Sequence, residues 1–491
     1  MELKLYNYLR KEGLTHPDVD FRETVYQDKL ELYDASLGLD NDILNSVQKH
    51  LKTYNTYLKT KQQQEVTLRY YQILALYFTE LYLTKKEEHD FIFSKESLAY
   101  WMATGSGKTI IMHLNILQYI SHCKNFRDFE IIMTTPGVNL IDQHERELTP
   151  FIEFLNTKYR NAVRLTIDTT SALLNKPNDF FDFPQSKSYR RLILVDEAHI
   201  GLSTTGNTGT DGAFMDLRRR LNIENSFLFE YSATFHNING ALEKEYEKSI
   251  VYDYNYNLFY KDGYGKDYYF QQVGDDVLEK SFDDNLHRNL SVINEKIDLW
   301  HNIDYSVQKD IFKASQHPDK PLIAFMGNTV NNKDKSAKNE DPEVSDITNI
   351  VNFLANLKEA DKSNYKYLFN EEYTGKLTLT RNPETDDEIL LSYGNGGYWG
   401  IVNVGNGAKF INDLDNDNVI KNPRDKVIVS NIERYSFKNI DNQNSPINVL
   451  IGSRKFAEGW NCFRVSVIGL INLGSSKGNK IIQIFGRGVR I

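Results

Sequence analysis

The chain has 491 residues, 40% hydrophobic and 25% charged, with 58 basic against 67 acidic side chains and a net charge of −9. These are globular values that exclude a disordered or fibrous chain, and the length suits about three domains, each with its own core. No apolar run approaches the roughly 18 to 20 residues of a membrane helix, the start Met1-Glu-Leu-Lys-Leu-Tyr6 lacks a signal-peptide core, and Cys123 and Cys462 have no paired metal spacing. A cytoplasmic protein without membrane contact, structural zinc or disulfides is therefore expected.

Residues 1–64 are polar, rich in Tyr and Lys, and read as a small accessory segment with helical spacing in Leu44–Leu51. From Glu65 to Tyr254, strand-like runs (Glu130–Thr135, Ala162–Thr166, Leu192–Val195, Ser226–Ser232) alternate with amphipathic helices. That alternation predicts βαβ units around a mostly parallel sheet. Within it, Met102-Ala-Thr-Gly-Ser-Gly-Lys-Thr109 follows an apolar stretch and precedes a predicted helix over Ile110–Ile120.

Glycines at 105 and 107 let backbone N–H groups of Thr104, Gly105, Ser106 and Gly107 close around phosphate oxygens, and the helix brings the positive end of its dipole to them. Lys108 supplies a point charge to the β- and γ-phosphates, and Thr109 a hydroxyl for magnesium. Met102 stands where the strict G-x-x-x-x-G-K-[ST] pattern has its first glycine. Farther on, Val195-Asp-Glu-Ala-His199 ends the run Arg191–Val195 and delivers two carboxylates to a strand's carboxyl end. Asp196 suits magnesium, and Glu197 suits polarising an attacking water. Together the two segments describe one ATP site.

A connector is expected over 255–315, Tyr-, Asp- and Gly-rich at first and then a long helix over Asp283–Asn302. Pro321–Met326 starts a second α/β unit over 316–491, interrupted near 359–423 by strand-like Lys376–Thr380, Glu388–Tyr393 and Trp399–Val404, a β-rich insertion. Tyr393, Tyr398 and Trp399 suit either stacking on bases or hairpin packing. Asn331–Glu343 reads as a polar loop. The acids of Asn382–Glu388 read as a solvated turn rather than a nuclease centre. The basic runs Arg218–Arg220 and Lys333–Lys338 read as part of a phosphate-binding groove or as solvated faces; the acidic sum leaves such a local groove open.

With these segments in place, Leu68–Ile491 resembles the superfamily 2 helicases and translocases of the DEAH-box kind. The resemblance implies an α/β architecture of two RecA-like P-loop lobes with parallel sheets, ATP and Mg2+ as cofactors, and nucleic acid across both lobes. It places Arg69 and Gln72 of Leu68-Arg-Tyr-Tyr-Gln72 at the adenine. Thr134–Gln143, with Thr135, Pro136 and Gly137, would lie at the strand-to-helix turn that touches tracking-strand phosphates. Ser232 and Thr234 of Tyr231-Ser-Ala-Thr-Phe235 would couple hydrolysis to lobe movement. Pro321–Thr329 occupies the place of the second lobe's first motif. Glu458-Gly-Trp-Asn461 resembles the turn that senses ribose and nucleic acid, where Gly459 allows close backbone approach. In Gln483-Ile-Phe-Gly-Arg-Gly-Val-Arg490 the arginines are three apart and share a helix face. Arg487 and Arg490 would reach the γ-phosphate as arginine fingers, with Gln483 positioning the water or the phosphate.

Ser453–Asn461 followed by Ile484–Arg490 is most similar to the restriction subunits of type III restriction-modification systems and related bacterial defence helicases. That similarity implies an ATP-dependent translocase on duplex DNA, with a nuclease domain following the motor and a DNA methyltransferase or other defence subunits as partners. The chain stops at Ile491, directly after the last motif, and so reads as the N-terminal part of a longer protein. RNA unwinding, an ATP-operated DNA-binding switch that recruits a nuclease without translocating, and a nuclease in its own right are the alternatives at this stage.

Overall fold

The computed structural model describes residues 1–14, 38–85, 96–123, 128–136, 140–159, 162–181, 189–198, 217–218, 220–221, 225–235, 241–264, 278–302, 319–327, 346–370, 375–382, 385–394, 396–422, 435–442, 444–452, 462 and 464–471. Lys333–Lys338 and Asn331–Glu343 lie outside them. The chain divides into two compact units, Met1–Gly265 and Lys266–Ile491. Each is an α/β unit built on one sheet. No described helix is long and apolar enough to cross a membrane.

The first unit is built on strands β1 (Ser97–Met102), β2 (Asp128–Thr135), β3 (Ala162–Thr169), β4 (Tyr189–Asp196), β5 (Ser226–Ser232) and β6 (Ile250–Tyr254). They lie in the order β3-β2-β4-β5-β1-β6, and every pairing is parallel. Both faces are covered, as parallel sheets require. Along β1, Leu98, Tyr100 and Met102 enter one core while Ala99 and Trp101 enter the other. That is the two-residue period of a strand.

Residues before 65 belong to this core. Helix α1 (Lys4–Gly13) buries Leu5 and Leu9, and α2 (Asn41–Thr60) starts where the Asp40 carboxylate accepts the Asp42 and Ile43 N–H groups. Helix α3 (Tyr70–Thr84) is buried on every side from Tyr70 to Leu83, so its sequence shows no amphipathic period. Helix α4 (Lys108–His122) packs beside it. On α4 the His113 ring stacks on Phe151 of helix α5 (Ile141–Tyr159), and its Nδ1 lies 3.0 Å from the Tyr54 hydroxyl of α2.

Within the arginine run, Arg218 does not lie on a solvated face. Arg218 is 7% exposed and pairs with Glu230 of β5 at 3.1 Å and Glu245 at 2.7 Å, while Tyr246 donates to the other oxygen of Glu230. Arg220 lies over the Phe181 ring at 3.7 Å.

In the second unit, β7 (Leu322–Gly327), β8 (Leu377–Arg381), β9 (Glu388–Tyr393), β10 (Gly400–Asn403), β11 (Val419–Asn422), β12 (Val449–Gly452) and β13 (Val465–Ile471) form one sheet, ordered β11-β8-β9-β10-β12-β7-β13. It is mixed rather than parallel throughout, because β9 runs antiparallel to both β8 and β10. The β-rich stretch is continuous with the lobe: β10 pairs in parallel with β12, and β12 with β7. Tyr393 and Trp399 are fully buried and pack with Phe369, whereas Tyr398 meets Tyr435 edge-on. Glu388 is also buried, accepting from the Asn382 amide and the Phe437 N–H, so this part of the acidic turn is not solvated. The helix expected in the connector, α6 (Leu278–Asn302), puts Leu286, Leu290, Ile293 and Ile297 into the second core, beside α7 (Asp346–Ala355).

Two outcomes follow. Arg218→Ala leaves Glu230 buried without its cation, and urea unfolding should show a loss of about 3–5 kcal/mol. Burial pushes the His113 ring from 6.5 down to about 3. Between those values the unfolded chain binds a proton that the folded chain refuses, so stability should be complete above pH 6.5 and fall as pH drops below it. Urea titrations at pH 5 and 7 should show this loss in the parent chain and a smaller one in His113→Asn.

Candidate nucleotide site

Parallel pairing brings the carboxyl ends of β1, β4 and β5 to one edge, with Asp196 beside Tyr231 and Trp101 beside Ser232. The β1 end runs into the loop Ala103–Gly107. Gly105 and Gly107 adopt φ of 88° and 86°, the left-handed conformation that L side chains avoid. The Ser106 hydroxyl, fully buried, donates to the Ala103 carbonyl at 2.7 Å and closes the loop. Gly107 caps α4, whose first N–H groups have no acceptor within the helix and so face the loop. The Lys108 ammonium lies 3.2 and 3.3 Å from the Met102 and Ala103 carbonyls, which holds it over the same loop.

Gln72 supports this turn from behind. Its Nε2 donates to the Ser106 carbonyl at 2.9 Å, and its Oε1 accepts the Arg69 N–H at 2.9 Å. A Cβ on Gly107 would stand 2.3 Å from Gln72 Nε2. Gln72 is therefore built into the loop, while Arg69 is exposed and its guanidinium lies 3.9 Å over the Tyr264 ring. Beneath them Tyr71 stacks on Tyr254 at 4.0 Å, and Tyr254 donates to Asp262 at 2.6 Å; Tyr70 donates to the same carboxylate.

At the end of β4, Asp196 Oδ1 accepts the Glu197 N–H at 3.0 Å, and Oδ2 lies 3.1 Å from His144 Nε2. Burial would push the Asp196 carboxyl up, but the His144 hydrogen bond and charge, together with the Lys108 charge, outweigh it and hold the group below its ordinary range. Glu197 sits at φ 52°, a left-handed strain unusual for a residue with a side chain. An ionised carboxylate 14% exposed and the Thr109 hydroxyl in the first turn of α4 are hard oxygen donors of the kind that hold magnesium carried on nucleotide phosphates.

Ser232 and Thr234 form a local turn in which the Ser232 hydroxyl donates to the Thr234 carbonyl and accepts the Thr234 N–H. The intervening Ala233 carbonyl accepts from Trp101 Nε1 of β1, so this segment is tied to the strand that carries the phosphate loop. Of the residues expected at nucleic acid, Thr135 is fully buried at the end of β2 and does not present its side chain, and Pro136 is half-buried. Gly137, Gly459, Gln483, Arg487 and Arg490 lie outside the described residues.

His144 was not among the residues singled out from sequence. The signal was present: 144, 148, 151 and 155 share one helical stripe, and Leu148, Phe151 and Leu155 are fully buried.

A glycine-turned loop, a lysine, and an ionised carboxylate at the carboxyl edge of a parallel sheet define a P-loop nucleotide-binding lobe. Residues 65–237 match the family model described as "Type III restriction enzyme, res subunit". Over this segment, about a third of the chain, the protein is similar to the res subunits.

Among solved structures, the DUF1998 helicase MrfA bound to DNA and AMPPNP is 13% identical, with a TM-score of 0.46 over 91% of this chain and 49% of that one. The ATP-dependent Type ISP restriction-modification enzyme LlaBIII bound to DNA is 12% identical, with a TM-score of 0.44 over 87% of this chain and 27% of that one. The Hef helicase domain of Pyrococcus furiosus is 12% identical, with a TM-score of 0.33 over 84% and 93%. The chain thus spans about half the length of the first and about a quarter of the second. No curated protein matches.

Gly107→Ala should abolish nucleotide binding, read as loss of ADP affinity by calorimetry. Adding Gln72→Ala removes the 2.3 Å clash but leaves the 86° backbone angle, so it should restore little.

Proposed function

We propose that this chain is the motor part of an ATP-dependent DNA translocase or helicase serving a restriction-modification or other anti-phage system. The observation that carries the reading is the convergence of Lys108 and Asp196 on one sheet edge inside the segment that matches the res subunits. Backbone N–H groups of Thr104–Gly107 hold the phosphates, and Lys108 neutralises their β- and γ-oxygens. Thr109 and Asp196 would hold magnesium, which would supply charge neutralisation at the nucleotide phosphates. Glu197 orients the attacking water and accepts its proton.

Ser232-Ala-Thr234 would transmit the change at the γ-phosphate, because its backbone is bonded to the strand that ends in the phosphate loop. Pro136 and Gly137 would meet the nucleic-acid backbone. Gln483, Arg487 and Arg490 would complete the transition-state contacts, and Gly459 the ribose-sensing turn, on the strength of the motif resemblance. Duplex DNA is the proposed substrate, on the strength of the resemblance to type III restriction subunits. A DNA methyltransferase is the proposed partner, and an endonuclease domain the proposed companion of the motor.

The test is steady-state ATP hydrolysis with no nucleic acid, duplex DNA, single-stranded DNA and RNA. Stimulation by duplex DNA that disappears in Lys108→Ala is expected. Turnover indifferent to all four conditions would remove the DNA-driven reading, and preferential stimulation by RNA would replace it.

A further inference from the structure

The Asp196 carboxylate is held by two donors that pull on different oxygens, the Glu197 N–H on Oδ1 and His144 Nε2 on Oδ2. That pairing fixes rotation about the Cβ–Cγ bond and leaves lone pairs on both oxygens for other partners. The first donor is backbone and comes with the strand end. The second is a side chain from a different element, helix α5, and it is 1% exposed.

Burying an imidazole there is costly. Its Nδ1 finds no hydrogen-bond partner among the described residues, and neither does Glu147 Oε2 one turn farther on or His113 Nε2 on α4. Asp196 is the one polar group to which the buried ring is bonded among the described residues. An apolar residue would fill the stripe of Leu148, Phe151 and Leu155 without leaving an orphaned nitrogen. Donation to a carboxylate requires the proton on Nε2, which sets the ring's orientation.

We propose that His144 is a positioning residue for ATP hydrolysis, holding Asp196 in the orientation in which that carboxylate serves magnesium. The inference rests on the reading of this edge as an ATP and magnesium site. Partners of this kind behind a metal-bound carboxylate are worth about 10- to 100-fold in metal affinity or activity.

The experiment measures ADP affinity of the full chain in EDTA and in magnesium, together with the magnesium concentration for half-maximal ATPase. It compares the parent with His144→Leu, which fills the space without a donor, and His144→Gln, whose amide N–H reaches about as far as Nε2. The leucine chain should bind ADP in EDTA as the parent does, lose about 10- to 100-fold of the magnesium-dependent gain, and need more magnesium for turnover. The glutamine chain should recover most of both. Unchanged magnesium dependence in a folded leucine chain would overturn the proposal.

If the leucine chain does not fold, His144→Asn, Asp196→Asn and their combination decide it. A residue acting through Asp196 makes the combined chain no worse in magnesium-dependent ADP affinity than Asp196→Asn alone, whereas additive losses would overturn it. Lys108→Ala separates the two levels of inference. If it leaves ADP binding and turnover untouched, the ATP site itself has been misread.

Discussion

Parallel strand pairing is the constraint on which the first unit depends. It sends every strand's carboxyl end to the same edge, so a loop after β1 and an acid after β4 meet although β5 lies between them. The price of parallel pairing is that both faces must be covered, because the crossovers lie on them. That explains why α3 is apolar on all sides and why Tyr100 and Tyr231 stack at 5.1 Å in the interior, with the Tyr231 hydroxyl donating to Asn115 of α4 at 2.8 Å. The Tyr100 hydroxyl in turn shares a 2.6 Å hydrogen bond with the Thr79 hydroxyl of α3. Gln118 of α4 donates to Glu80 of α3 at 2.8 Å.

The glycine turn at 105–107 and the strand that ends at Asp196 were legible because they depend on local chemistry. A glycine at 105 and another at 107 answer to backbone angles of 88° and 86°, and the apolar run Leu192–Val195 before Asp196 answers to a buried strand. What escaped depends on distant partners. Arg218 reads the same whether it faces water or a carboxylate on β5, and only Glu230, twelve residues on, decides between them. The bond from the Gln72 amide to the loop carbonyl of Ser106 spans 34 residues. His144 reads as one member of an apolar stripe, and its bond to Asp196 spans 52 residues.

The second unit shows the same limit at the scale of a sheet. The hairpin of β8 and β9 and the return through β10 are local, and they stood out as strands between turns. The pairing of β10 with β12 joins segments about fifty residues apart, so a stretch that reads as an addition to the lobe is part of its sheet. Gly400 marks the junction: a Cβ there would stand 3.0 Å from Leu391 Cδ1 and 3.4 Å from the Val449 carbonyl, so close strand approach on both sides uses its missing side chain.

Strand order carries a consequence for where the first unit can be cut. The family match ends at residue 237, but β6 begins at Ile250 and lies directly against β1, the strand that ends in the phosphate loop. A fragment trimmed to the matched segment would turn β1 into a raw sheet edge, with Val251, Tyr252 and Tyr254 gone from one side and Tyr54 and Tyr57 of α2 gone from another. The stretch recognisable by descent is therefore smaller than the stretch able to fold. A functional fragment of the first lobe has to be drawn around the sheet rather than around the motifs.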